Sequence, residues 1–497
     1  MQQPNHSADR EPMAKVDTAW LRMEKPTNLM MITGVMAMAS TLDVDTLRNM
    51  LSERLLAYRR FRQRPLDLGS QAFWETDPDF DINWHVRRSA LPRPRGRAEL
   101  EELVSQLAST PLDATKPLWQ FHLVDDYRGG SVLIMRLHHC YADGMAMVQV
   151  VLSLTDTTAN ASKLKDPHAA RLRHSHEGVL DRLLGPAKAG MEQLSAIGER
   201  MGSQLHKLVA NPFGAAHDLM EVSMASARES RAVMAELMHS LTLSDDPPTR
   251  LKQPLGVSKR VAWCSPLPLS EVKALSRALE CTVNDLLLTA ACGALRSYLL
   301  DQGEKIDGLS IRATVPVNLR PIEHARELGN QFGLVFLELP IGESNPVSRL
   351  IKVRDGMREL KSSRQAIVSY GLLSALGVGP GALQGPALDL LSRKATTVAT
   401  NVPGPQQTLY LCGQAITEMM FWVPQTGGIG VGISILSYAG QIYFGLISDQ
   451  RCIPQPRAVI EAFPHELEKL MLLALLDDWD SALTPAKAVR LMEGKQG

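Results

Sequence analysis

The chain has 497 residues, with 53 Lys plus Arg balancing 53 Asp plus Glu, a length that suggests two domains of ordinary size with a segment between them. The charge balance argues against a nucleic-acid footprint or a polybasic membrane anchor. Six scattered cysteines without paired spacing, Cys140, Cys264, Cys281, Cys292, Cys412 and Cys452, fit a reducing cytoplasm; nothing at the polar N-terminus reads as a secretory leader, and apolar runs such as 470–476 fall far below the ~20 residues of a spanning helix, so any membrane contact is expected to be peripheral.

From the N-terminus, Asp17-Thr18-Ala19-Trp20-Leu21-Arg22-Met23-Glu24 predicts a short helix, Pro26-Thr27-Asn28 a turn, and 29–39 a buried strand. Leu47, Leu51, Leu55 and Leu56 recur at helical spacing over 46–58, with Asp45 placed as the cap. Trp74, Phe80, Trp84, His85 and Val86 suggest an aromatic-rich strand or strand edge in which His85 is structural. A helix over 99–110 leads to Pro117-Leu118-Trp119, where the proline fixes entry into a strand over 120–125 and the tryptophan is a packing element. Gly129-Gly130 then makes a hairpin turn.

The apolar strand that follows ends in His138-His139-Cys140-Tyr141-Ala142-Asp143-Gly144. Side chains alternate along a strand, so His139 shares a face with Leu133, Met135 and Leu137, whereas His138 shares the other with Ile134 and Arg136. Residues 145–152 read as a helix, capped by Asp143 and entered through a tight bend at Gly144. Four readings compete here. The histidines could be core residues and Asp143 a cap alone. A metal site is disfavoured because adjacent strand histidines point apart and no zinc-type spacing occurs elsewhere. Cys140 as nucleophile is disfavoured because a residue beside its base in an extended chain points away from it. The fourth reading is His139 as general base toward a substrate hydroxyl.

Between 155 and 256 the composition shifts to Met, Ala, Ser, Lys and Arg. Leu194, Ile197, Met201, Leu205 and Leu208 mark one amphipathic helix and 219–241 a Met-rich second, read as a connector whose soft surface could also meet lipid. The organisation expected is a first domain over 1–155, a helical connector over 156–256 and a second domain over 257–497. In the last, αβ alternation resumes. Thr282 and Asp285 have capping-box spacing at the head of a long apolar helix. Strands are expected over 311–318 and 332–339, helices over 348–362 and 367–391, and strands over 409–420, 429–436 and 441–447 finish the second sheet before a helix over 456–476. Gly377-Val378-Gly379-Pro380-Gly381-Ala382 fits a dinucleotide fingerprint only superficially, with no strand before it and no acidic residue ~20 positions on.

His-His-x-x-x-Asp-Gly resembles the active-site motif of coenzyme A-dependent acyltransferases, and most the bacterial wax ester synthase/diacylglycerol acyltransferase family. The resemblance extends through 17–24, 80–87, Pro117-Leu118-Trp119, Asn284-Asp285, Val315-Pro316-Val317-Asn318-Leu319-Arg320, Gly329-Asn330 and Asn401-Val402-Pro403-Gly404-Pro405, where Thr400 stands in place of a commoner Ser. It implies an α/β, two-domain chloramphenicol acetyltransferase-like fold, with a mixed sheet and flanking helices in each half and the active site at their interface. It further implies Asn284 near the catalytic histidine, acyl coenzyme A as co-substrate with no other cofactor and no metal, and a long-chain alcohol or diacylglycerol as acceptor. His139 would be the base, with His138 and Asp143 holding it and Gly144 permitting the turn. The Asp-Phe-Gly-Trp-Gly motif of plant relatives is absent, so any oxyanion donor it supplies must be replaced. Two rivals remain: a carrier-dependent condensation domain, and a non-catalytic protein of lipid inclusions.

Overall fold

The computed structural model describes residues 10–160, 243–319, 329–363, 365–378, 389, 392–425 and 427–476. The connector helices expected over 194–208 and 219–241, residues 379–382 of the glycine-rich stretch, and Arg320 lie outside the described residues. In chain order the elements are β1 (Arg10–Pro12), α1 (Lys15–Met23), β2 (Met31–Met38), α2 (Val44–Arg54), β3 (Gln63–Asp67), β4 (Ala72–Thr76), α3 (Ile82–His85), β5 (Val86–Ala90), α4 (Arg97–Ala108), β6 (Trp119–Tyr127), β7 (Gly130–His138) and α5 (Gly144–Leu154). The second half supplies β8 (Lys259–Trp263), β9 (Leu267–Pro268), α6 (Leu269–Ala278), α7 (Val283–Asp301), β10 (Ile311–Asn318), β11 (Phe332–Leu339), α8 (Pro346–Ser362), α9 (Gln365–Val378), β12 (Thr397–Pro403), β13 (Tyr410–Leu411), β14 (Gln414–Trp422), β15 (Val431–Tyr438), β16 (Gln441–Asp449) and α10 (Arg457–Leu475).

Two mixed sheets carry the fold. The first runs β13-β14-β2-β7-β6-β5 and the second β11-β10-β12-β15-β16-β8, with β9 alongside β16; β1, β4 and β3 form a small third sheet. In the first sheet β5 and β6 are parallel; in the second β12 is parallel to both β10 and β15. The β6–β7 hairpin turns one residue before the expected Gly129-Gly130. Arg128 and Gly129 both adopt positive φ, 52° and 83°, between the paired Tyr127 and Gly130, the two-residue turn whose twist matches that of the strands. Thr282 and Asp285 close the expected capping box at the head of α7, which packs between α8 and α10.

Three expectations are corrected. Asp43, not Asp45, caps α2, its carboxylate accepting from the Thr46 N–H, because a cap must reach back over the first turn and the helix starts earlier than the leucine spacing suggests. The aromatic stretch at 80–87 is not continuously extended: Ile82–His85 is a helical turn held by the Asp81 carboxylate on the Asn83 N–H. The strand at 414–422 does not finish the second sheet. β14 pairs with β2 in the first, Gly34 opposite Phe421 and Thr33 opposite Trp422. All eight residues of β2 are buried, so with β7 alone beside it one edge would leave buried N–H and C=O groups unpaired.

That crossing strand ties the halves into one core. A single apolar cluster joins Trp20, Leu133 and Trp119 with Trp263, Phe332, Tyr438 and Tyr443, and a second cluster lies within the C-terminal half. α1 of the first half packs on α9 of the second. The catalytic-looking loop after β7 therefore sits where the two halves meet.

Candidate active site

The alternation expected at the end of β7 is what the structure shows. Met135 and Leu137 line one cavity and His139 another that adjoins it, while His138 faces the other way. The Cys140 N–H donates to His138 Nδ1 at 3.1 Å, and His138 Nε2 lies 2.9 Å from Glu24 Oε2. With Nδ1 accepting, the ring proton belongs on Nε2, toward the carboxylate. Burial alone pushes the Glu24 carboxyl up, yet the hydrogen bonds from His138 and the Met30 backbone hold the group below its ordinary range. His138 thus anchors the end of the strand to the segment after α1.

His139 is 4% exposed. Its backbone N–H donates to Met30 O at 2.7 Å, and its ring stacks on Trp20 with centroids 4.1 Å apart and tilts against Phe332 at 5.6 Å. Burial lowers its pKa to about 4, with Asp143 opposing the shift, so the imidazole is neutral near physiological pH. Nδ1 is buried without a well-aligned hydrogen bond, and the ring's own carbonyl and the Asn330 side chain both favour its protonated form.

The loop carrying Asn330 clamps this histidine from the second half. Asn330 Nδ2 donates to His139 O at 2.9 Å and to Asp17 Oδ1 at 2.8 Å, and the Asn330 N–H donates to the same Asp17 oxygen at 3.0 Å. Asp17 lies on the buried face of α1; burial raises its pKa to about 6, against the Asn330 hydrogen bonds and the charge of Arg60. Gly329 pairs with the His139 loop, its N–H donating to Tyr141 O and its carbonyl accepting from the Asp143 N–H, each at 3.2 Å. Its φ of 107° is open only to glycine at low cost.

Asp143 works on both sides of the interface. One oxygen accepts from the Ala146 N–H at 2.8 Å, capping α5 as expected, and the other accepts from the Gln331 N–H at 3.0 Å. Gly144 is a correction: it begins α5 without a left-handed φ, so the bend does not need glycine. A Cβ there would meet nothing within 4 Å, because Gly144 lines the cavity; what glycine supplies is space. Asn284 does not line the cavity. Its Oδ1 accepts from Asn401 Nδ2 at 2.7 Å, and Asn401 is the cavity residue.

The cavity is ≈ 280 Å³ and takes Trp20, His139, Asp143 and Gly144 from the first half and Pro316, Asn318, Phe332, Asn401 and Phe421 from the second. Among the described residues no group of three or more His, Cys, Asp and Glu is arranged to hold a metal ion. Cys140 is fully buried, and burial pushes its thiol well above the ordinary value, leaving no thiolate for nucleophilic attack. His85 is also structural in its setting, sandwiched between Phe80 and Trp119 with Nδ1 2.7 Å from Trp119 O.

The roles of Asp17, Trp20, Glu24, Asn330 and Phe332 escaped the sequence reading, although 17–24 and Gly329-Asn330 were singled out. One signal was present: Asp17 and Trp20, three apart, share the apolar face of a helix, and a carboxylate there needs a buried partner.

Residues 13–287 match the wax ester synthase/diacylglycerol acyltransferase catalytic domain and residues 328–471 the C-terminal domain of the same enzymes. A protein of Mycobacterium tuberculosis strain H37Rv that carries the name diacylglycerol O-acyltransferase is 30% identical over 93% of this chain and 90% of its own; a second from the same strain is 27% identical over 87% and 89%. Among solved structures, the wax ester synthase/diacylglycerol acyltransferase of Marinobacter aquaeolei VT8 superposes with a TM-score of 0.63 at 21% identity, covering 94% of this chain and all of that one. The first condensation domain of the calcium-dependent antibiotic synthetase gives 0.58 at 16% identity, covering 96% and 98%, a likeness of fold. The two half-domains, the His139 loop between them and both family matches agree: the chain belongs to the wax ester synthase/diacylglycerol acyltransferase family.

Proposed function

We propose that the chain transfers a long-chain acyl group from acyl coenzyme A to the hydroxyl of a long-chain alcohol or a diacylglycerol, giving a wax ester or triacylglycerol, with His139 as general base. The observation that carries this is a neutral imidazole, packed between Trp20 and Phe332, on the wall of an apolar cavity built by both halves. A thioester is already activated, so the protein needs to align it with the alcohol, take one proton and stabilise the tetrahedral oxyanion.

His139 Nε2 accepts the hydroxyl proton as the alcohol oxygen attacks the thioester carbonyl. The nearby Asp143 carboxylate favours the imidazolium so formed. At the head of α5, Asp143 takes the N–H groups of Ala146 and Met147; of the two first-turn N–H groups that remain, those of Gly144 and Met145, the one on the cavity residue Gly144 is the candidate donor to the oxyanion. Collapse breaks the carbon–sulfur bond, and the proton held by His139 passes to the departing thiolate to give free coenzyme A. No covalent enzyme intermediate is required. Acyl coenzyme A is consumed as a co-substrate, and coenzyme A leaves as product. His138 and Asp143 position the base; Asn284 acts one step back, through Asn401.

Purified protein given palmitoyl coenzyme A and either hexadecanol or a diacylglycerol is expected to release free thiol, and His139→Ala to lose roughly 10²- to 10⁴-fold in kcat. No thiol release from the wild type with any such pair, or undiminished turnover by His139→Ala, would sink the proposal. Among the described residues no single helix is long and apolar enough to cross a membrane. Water-insoluble acceptors nonetheless support work at a lipid surface, with the chain in the cytoplasm and peripheral to a membrane or lipid inclusion.

A further inference from the structure

A base must present a bare nitrogen, and His139 has two to choose from. Nδ1 is sealed inside the protein, so the nitrogen that can meet a substrate in the cavity is Nε2, and the single proton of the neutral ring has to sit on Nδ1. In the other tautomer the ring would aim a proton at the hydroxyl and accept nothing. Which tautomer forms is set by the hydrogen bond that the other nitrogen makes. The base therefore depends on an acceptor for Nδ1–H.

Two oxygens act on the ring in this sense, the His139 carbonyl and the Asn330 side chain. The carbonyl is already engaged, accepting from Asn330 Nδ2 at 2.9 Å. Asn330 Oδ1 is not: it is buried without a partner, as Nδ1 is, on a residue 4% exposed. Its place is fixed by its own amide nitrogen, which donates both to the His139 carbonyl and to Asp17 Oδ1 at 2.8 Å. Turning the amide over would set Oδ1 against two other acceptors. Asp17 thus holds an otherwise unused amide oxygen beside the sealed edge of the base. Buried acceptors without a donor are costly and rare, and the donor this one lacks is the Nδ1–H that the base has to keep.

We propose that Asn330 is the positioning residue that sets the tautomer of His139, its Oδ1 accepting Nδ1–H while its Nδ2 grips the carbonyl of the same residue and Asp17 anchors the amide. The inference rests on the acyl-transfer reading and deepens it by naming the group that orients the base. In the free chain the contact is poorly aligned. It tightens as Nε2 takes the substrate proton, because the imidazolium is the stronger donor and its bond to the amide oxygen is charge-assisted. A contact that strengthens toward the transition state acts on kcat rather than on KM.

The tautomer is read from the ring nitrogens of protein labelled with ¹⁵N-histidine, the His139 signals being those absent from His139→Ala. The wild type is expected to carry its proton on Nδ1 at neutral pH. Asn330→Ala is expected to mix the tautomers and, with palmitoyl coenzyme A and hexadecanol, to lose about a hundredfold or more in kcat while KM stays within about threefold, since the partner that orients a catalytic histidine is worth up to ~10⁴-fold. The exchange Asp17→Asn with Asn330→Asp moves the amide to α1 and returns an oxygen to Nδ1, and is expected to recover the Nδ1 tautomer and at least about tenfold of the lost kcat. A wild-type proton on Nε2, or an Nδ1 proton unchanged in Asn330→Ala, overturns the inference. Should Asn330→Ala fail to fold, the exchange variant decides, because a carboxylate set against Nδ1–H must move its resonance; an unmoved one overturns the inference. The ring spectra need no turnover, so a wild type with the Nδ1 tautomer and no thiol release sinks the acyl-transfer reading while leaving the Asn330 contact in place.

Discussion

His139 loses basicity to burial and keeps its aim through packing. An exposed histidine is half protonated near 6.5, whereas burial holds this one unprotonated down to about 4. kcat/KM is therefore expected to show no acid limb at 6.5, and a pH profile by thiol release with a limb centred there would contradict the buried, neutral base. Stability carries the same signature. With the folded pKa depressed, the unfolded chain takes up the proton first, so this contribution is present above about 6.5 and is lost as the pH falls toward 4. The destabilisation caused by His139→Ala, measured by denaturant titration, should be larger at pH 8 than at pH 5. Asp17 runs oppositely: its pKa is raised to about 6, so its contribution is full below 3.8 and lost as the pH rises through 6. At this scale strand alternation and Asx capping were enough to separate His138 from His139 and to place Asp143. Gly144 was misread because a sequence shows that a side chain is missing but not whether the backbone or a cavity requires its absence.

Among the elements, α1 contributes most beyond what its length suggests. It supplies Trp20 to the face of the His139 ring and Asp17 to the loop that clamps it. Asp17→Ala leaves the Asn330 N–H and Nδ2 without their shared acceptor, at a cost of about 1–3 kcal/mol for buried donors. Because Asn330 also holds the His139 carbonyl, the loss should fall on kcat more than on KM. Asp17→Asn keeps an oxygen in place and should restore most of kcat. Equal kcat for the two variants, measured at saturating substrate, would leave Asp17 a merely structural residue. Hairpin and capping signals are local, so the β6–β7 turn, to within one residue, and the Thr282–Asp285 box were legible. The partner of β14 was not: its alternation fits either sheet, and only the otherwise open edge of the fully buried β2 selects the first.

On the scale of the whole molecule, the halves are joined by exchange as well as contact. β14 completes the sheet that carries His139, and its Glu418 accepts from Arg97 of α4 at 2.6 Å and from Trp263 of β8 at 2.5 Å, so one carboxylate joins a helix of the first half to a strand of the second. Asn330 and Gln331 add the clamp on the His139 loop. A division at residue 155 consequently separates His139 from the strand that completes its sheet, from its clamp and from half of its cavity wall. Residues 1–155 expressed alone are expected to be insoluble or to lack cooperative thermal unfolding, because the exposed edge of β2 is a long apolar template for pairing with other chains. Coexpression with 257–497 should recover a soluble complex, since strand pairing with β14 and the shared apolar core do not require chain continuity. A cooperatively folded, soluble 1–155 fragment would show instead that β14 covers a sheet already complete, and that the two halves meet as finished domains.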